Sequence, residues 1–125
     1  MDENELGSAV LDSAMKIHAA LGPGLLESAY ETCLAHEVNK AGIEVRRQVT
    51  LPVRYDGVVI DQGFRLDLVI ADRVVVEVKA VEKLLPVHGQ QVLTYLKLGG
   101  FKLGYLLNFN VARMRDGIRR VVNGL

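Results

Sequence analysis

The 125-residue sequence has one cysteine, Cys33, no tryptophan and three prolines. A lone cysteine excludes an internal disulfide framework and a cysteine-rich zinc site. His18, His36 and His88 have no His-x-x-x-His or Cys/His spacing, so they add no zinc site. No apolar run approaches the ~18 residues a membrane span needs, and the start Met1-Asp2-Glu3-Asn4-Glu5 is acidic where a signal peptide is basic. Net charge is zero, with fifteen Lys and Arg against fifteen Asp and Glu, which excludes a basic nucleic-acid tail and an acidic disordered segment. Phosphate-loop and dinucleotide fingerprints are missing, and an aromatic content of 6% offers no stacking platform for single strands. These absences predict a soluble, cytoplasmic chain with no membrane contact and one domain over residues 1–125. Half of it is apolar, enough to bury a core.

The zero total hides an uneven distribution. Residues 1–45 carry eight acids and two bases, net −6, and residues 46–125 carry thirteen bases and seven acids, net +6. Such asymmetry points to a polyanionic partner for the basic part, or to two halves that attract each other in the fold. Leu6, Val10, Ala14, Ile17 and Leu21 recur at helical spacing and predict a helix over 6–20, broken by Gly22-Pro23-Gly24. Leu26, Tyr30, Cys33, Leu34, Val38 and Ala41 predict a second helix over about 25–41, ending at Gly42. The period then becomes two. Strands are expected over Val45–Tyr55, Val58–Ile60, Phe64–Ile70 and Val74–Ala80, with Asp56-Gly57 as a hairpin turn. Pro86 starts a third helix that Gly99-Gly100 ends, Leu103–Phe109 reads as a strand buried on both faces, and Val111–Val122 as a last short strand. Helices against one mixed sheet, in an α/β or α+β sandwich, is the expected architecture.

The chemistry concentrates in Arg65-Leu66-Asp67-Leu68-Val69-Ile70 and Val74-Val75-Val76-Glu77-Val78-Lys79. Strand side chains alternate between faces, so Leu66, Leu68 and Ile70 share one face while Asp67 takes the other; Glu77 and Lys79 share a face. An odd-numbered loop such as Ala71-Asp72-Arg73 sets Asp67 opposite Glu77, and two acids and a lysine then converge. Opposed like charges raise each other's pKa unless a cation lies between them. Paired carboxylates with a carbonyl are the oxygen ligands Mg²⁺ prefers, and such an ion activates water and stabilises phosphoryl charge. The plainer alternative is an amphipathic hairpin whose Lys79 pairs with Asp67 or Glu77 in solvent. Glu27 borders the apolar stripe of the second helix and can reach a cleft over the sheet edge, or simply answer the helix dipole. Gln91 and Tyr95, four apart, share a face of the third helix.

Gly24-x-x-Glu27-x-x-Tyr30 resembles the signature of the GxxExxY protein family. Asp67 followed by Glu77-Val78-Lys79 resembles the motif of the PD-(D/E)xK nuclease superfamily to which that family is assigned, and Gln91-x-x-x-Tyr95 is similar to the QxxxY motif of RecB-like members. The resemblance runs from about Leu6 to the C-terminus. It implies a restriction-endonuclease-like αβββαβ core, with a mixed central sheet flanked by helices, that binds Mg²⁺ or Mn²⁺ and hydrolyses phosphodiester bonds, of DNA in preference to RNA. By the same resemblance Asp67, Glu77 and the Val78 carbonyl would hold the metal, Lys79 would be the catalytic lysine, and Glu27 an accessory acid at the metal or its water. Gln91 would position the site or the nucleic acid, with Tyr95 and Tyr30 in support. Leu66 stands where the superfamily name has proline.

His88, one turn before Gln91, can contact substrate or remain solvated. Glu37 projects near the middle of the apolar face of the second helix. Arg113, Arg115, Arg119, Arg120, Lys97 and Lys102 make the last thirty residues the most basic part, suited to phosphate contacts or to a solvated face. Without a recognition domain, a homodimer or a partner protein would supply specificity. The competing expectation is a catalytically silent nuclease fold that serves as a nucleic-acid-binding or protein-assembly module.

Overall fold

The computed structural model describes residues 1–125. Helix α1, Glu3–Leu21, begins three residues earlier than its apolar period suggests. The reason is a capping box: Glu5 N–H donates to Asp2 Oδ1 at 2.8 Å, and Asp2 N–H donates to Glu5 Oε1 at 3.1 Å. Helix α2 spans Glu27–Lys40. Strands β1 (Val45–Tyr55), β2 (Val58–Ile70) and β3 (Val74–Lys79) follow, then α3 (Pro86–Gly99), β4 (Leu103–Asn108), a 3-10 turn at Met114–Gly117 and β5 (Ile118–Val122). The order contains the αβββαβ core that the resemblance implies. No helix is long and apolar enough to cross a membrane.

The five strands form one mixed sheet in the order β1-β2-β3-β4-β5. Only β3 and β4 run parallel, because α3 carries the chain between them. Helices α1 and α2 cover one face: Leu6, Val10, Ile17, Leu34 and Val38 pack on Leu68, Ile70, Val76 and Leu107. Helix α3 covers the other, with Val92 and Leu96 on Leu66, Val69, Val75 and Leu106. The chain's ends are tied together across α1. His18 Nε2 donates to the Val111 carbonyl at 2.8 Å, and Arg120 donates to the Asn4 side chain at 2.8 Å.

Two strands expected at Val58–Ile60 and Phe64–Ile70 are one continuous strand. Leu51 pairs with Phe64 and Val53 with Ile60, so Asp61, Gln62 and Gly63 bulge opposite the single residue Pro52, which has no N–H to offer the ladder. Gly63 lies tight against β1: a Cβ there would stand 2.7 Å from the Val53 backbone nitrogen. Asp56-Gly57 forms the hairpin turn, both residues with positive φ. Val111–Val122 is only partly strand, since Asp116-Gly117 closes the 3-10 turn before β5. Leu26, assigned to the apolar stripe of α2, is instead 77% exposed at the helix entrance.

Gly63→Ala forces β1 and β2 apart at the bulge. It should destabilise the protein by about 1–3 kcal/mol, measured by urea denaturation against wild type.

Candidate active site

The site is built where β2 and β3 part. Their ladder runs from Ile70↔Val74 to Leu68↔Val76 across the three-residue turn Ala71-Asp72-Arg73, and the same register sets Asp67 opposite Glu77. There the side chains replace the ladder. Asp67 N–H donates to Glu77 Oε1 at 3.1 Å, and Val78 N–H donates to Asp67 Oδ2 at 2.9 Å. Each carboxylate thus satisfies an amide that the separating strands leave free. Strand β2 also changes face here. Leu66 packs under α3 while Leu68 and Ile70 pack under α1 and α2, so these three do not share a face as simple alternation predicts.

Glu77 is 5% exposed. Burial pushes its carboxyl up to about 8, and the neighbouring Asp67 charge pushes in the same direction, against a smaller lowering by Lys79. Lys79, half-buried at the end of β3, forms no ion pair with either acid, so the plain solvent pairing of Lys79 does not occur. Its strand exit is clamped by Asn108, a buried residue the sequence reading missed. Asn108 accepts from Val81 N–H at 3.0 Å and donates to the Val81 carbonyl at 2.9 Å, while Phe109 N–H donates to the Lys79 carbonyl at 3.0 Å.

On the α2 side an open cleft of about 230 Å³ is lined by Glu27, Glu31, Gln48, Arg65, Asp67 and Val78, with Ser28. Glu27 reaches it from the first turn of α2 because Tyr30 pins the preceding loop. The Tyr30 hydroxyl donates to the Gly22 carbonyl at 2.6 Å and accepts from Leu25 N–H at 3.1 Å, and its ring stacks on Phe109 at 4.5 Å. Tyr30 is fully buried, so it supports the loop and cannot meet substrate. His88 is half-buried and its Nδ1 accepts from Leu85 N–H at 3.0 Å, capping α3. Gln91 and Tyr95 lie on α3, on the Glu77 side. Burial raises the Tyr95 phenol above its ordinary pKa, the Glu77 and Asp67 charges add to this, and Gln91 opposes it. Tyr95 is also stacked on Phe64, ring centroids 5.0 Å apart.

Two further residues were not singled out in the sequence. Glu31 is 7% exposed and accepts from Arg47 Nε at 3.1 Å and Nη2 at 2.8 Å, and from Gln48 Nε2. Gln48 Nε2 also reaches Asp67 Oδ1 at 3.5 Å. Gln48 holds a left-handed backbone, φ 50, at a cost of about 1–2 kcal/mol for a residue with a side chain. The available signal was the spacing of Glu27 and Glu31, four apart and so on one helix face. Glu37, by contrast, leaves the site and pairs with Lys16 at 3.2 Å and Lys40 at 3.7 Å.

Glu27, Asp67 and Glu77 do not form a ready ligand set: no three His, Cys, Asp or Glu side chains are grouped to hold a metal ion. Asp67 and Glu77 spend one oxygen each on backbone amides, and Glu27 stays across the cleft. The donor chemistry still suits a hard divalent cation, since the half-buried Asp67 and the buried Glu77 carboxyl groups lie against each other and neither enters an ion pair. A larger hollow of about 530 Å³ between α3 and β5 is lined by Leu85, Pro86, Leu93 and Leu106 with Arg119 and Arg120, and holds no acid. The bases Arg113, Arg115, Arg119 and Arg120 are exposed or nearly so and enter no ion pair. Arg47–Glu31 and Arg73–Glu3 are the only ion pairs between the basic part and the acidic helices.

Glu77 in the fold keeps its proton to about pH 8, whereas an unfolded glutamate releases it near 4.5. Stability of the metal-free protein therefore falls as pH rises through that window. Glu77→Gln should match wild type at pH 5 and exceed it by about 1–3 kcal/mol above pH 8, read from denaturation curves across pH.

A family model for the PD-(D/E)XK nuclease superfamily matches residues 4–121. No curated protein and no solved structure matches the chain.

Proposed function

The chain belongs to the PD-(D/E)XK nuclease superfamily, and from that premise we propose that it is a divalent-metal-dependent nuclease of the GxxExxY type, acting on DNA in preference to RNA. The observation that carries this reading is the meeting of Asp67 and Glu77 where β2 and β3 part, with Lys79 next along β3. Asp67, Glu77 and the Val78 carbonyl are the residues that would hold Mg²⁺ or Mn²⁺. Bound there, the ion supplies an activated water and charge stabilisation for a phosphoryl oxygen.

The protein's own groups do the rest. Burial beside Asp67 keeps Glu77 protonated in the metal-free site, so ion uptake displaces a proton and is favoured by rising pH. Lys79 brings a positive charge to the same strand face, suited to orienting the attacking water or offsetting charge on the phosphate. Glu27, at the opposite wall of the cleft, is placed to accept a hydrogen bond from that water. Gln91 and Tyr95 lie on α3, on the Glu77 side of the sheet. Sparse aromatics and unpaired arginines favour grip on a duplex backbone over stacking of single strands.

One observation favours the second reading, a catalytically silent module for nucleic-acid binding or protein assembly: the three acids are not grouped as ligands. Cleavage of labelled duplex DNA, single-stranded DNA and RNA with Mg²⁺ or Mn²⁺ decides between them. The nuclease reading expects duplex cutting that chelation abolishes and that Asp67→Ala and Lys79→Ala each reduce on the order of 10²-fold or more. Absence of cutting with all three substrates, or equal cutting by the variants, overturns it.

A further inference from the structure

Gln48 is the one strand residue whose backbone and side chain are both unusual, and both lead to Asp67. Register pairs Arg47 with Leu68 and Val49 with Leu66, so Gln48 stands opposite Asp67. Its φ of 50 lies in the left-handed region, a conformation that persists in a side-chain-bearing residue only where its surroundings impose it. Its amide lies between two carboxylates, Glu31 on one side and Asp67 on the other. Both are acceptors, so the NH₂ end must face them and gives one hydrogen to each. Glu31 is itself held by two bonds from Arg47, so this anchor is rigid. Asp67 then has Oδ1 facing the Gln48 amide and Oδ2 on Val78 N–H.

From this we infer that Gln48, anchored through Glu31 and Arg47, is a positioning residue that sets the orientation of the Asp67 carboxylate. The inference rests on the nuclease reading and adds a residue to it. Gln48 acts through Asp67, the carboxylate its amide faces. Its strained backbone is the stability cost of aiming that amide, and this separates a positioning role from a structural one. A residue kept for stability loses stability when it is replaced. Gln48→Gly removes the aimed amide and relieves the backbone together.

The test compares wild type, Gln48→Gly and Gln48→Glu by thermal denaturation, Mn²⁺ titration and duplex cleavage kinetics. Gln48→Gly is expected to melt at or above wild type. It should bind Mn²⁺ more weakly and cut about 10- to 100-fold more slowly in kcat, as loss of a group that orients a ligand does, with KM for DNA unchanged. Gln48→Glu replaces the donating amide with an acceptor facing Asp67, so it should cut at least as slowly as Gln48→Gly, and wild-type cutting by it also overturns the inference. Wild-type cleavage and Mn²⁺ affinity in Gln48→Gly overturn the inference and leave the nuclease reading standing. A drop in melting temperature that accounts for its lost activity also overturns it, by making the role structural. A wild type that neither takes up Mn²⁺ nor cuts overturns the nuclease reading, and the inference with it.

Discussion

Two carboxylates crossing onto each other's strand hold the functional end of the sheet open. An antiparallel ladder that simply continued past Leu68 and Val76 would pair backbone to backbone and leave no opening. Instead Asp67 takes the Val78 amide and Glu77 takes the Asp67 amide, so the strands separate without orphaning a donor. The arrangement is locally satisfied and globally tense. It meets the hydrogen-bonding demand of the backbone, yet places a second acid beside a buried one. Helix α2 brings Glu27 and Glu31 to the cleft beside the pair, α3 carries Tyr95 on the Glu77 side, and neither brings a cation into contact with the pair.

The hydrophobic layers explain why the opening lies where it does. Val74, Val75, Val76 and Val78 are buried on both faces of β3, the central strand, and β4 pairs with it along its whole length. On its other side β3 loses β2 after three pairs. The polar residues of the site thus sit at the end of a strand that is otherwise fully covered, where low polarity raises the strength of each charge interaction. Asn108, buried beside Lys79, secures the chain as it leaves this end.

Much of this was legible in the sequence, for physical reasons that are local. The three helices announced themselves by period and by Gly and Pro breaks. The Asp67–Glu77 register followed from counting the odd turn Ala71-Asp72-Arg73 against alternation. What was hidden depends on tertiary geometry. The bulge at Asp61–Gly63 looks like a strand break in one dimension, because only the partner strand reveals Pro52 opposite it. Glu31 reads as one more acid on an exposed helix until Arg47 and Gln48 close over it. The left-handed backbone of Gln48 carries no sequence signal, since glutamine has no preference for it. Tyr30 stood out as part of a motif and His88 as a motif's neighbour, but the Tyr30 hydroxyl and the His88 Nδ1 are committed to backbone groups nearby.

The ties between the chain's ends bear on how the protein is made. Helix α1 is made well before its cover, since its apolar stripe of Leu6, Val10, Ala14 and Ile17 belongs against strands that include β4, more than eighty residues later. Of the elements that α1 packs on, α2 is the first to be made after it. The long β1–β2 hairpin, whose partners are close in sequence, has no such wait. Translation therefore passes through a stage in which the hairpin and Asp67 exist while Glu77 and the layers that enclose it do not. In that interval Asp67 meets water, and Glu77 becomes a buried acid only once β4 has paired with β3 and α3 has closed over its face of the sheet.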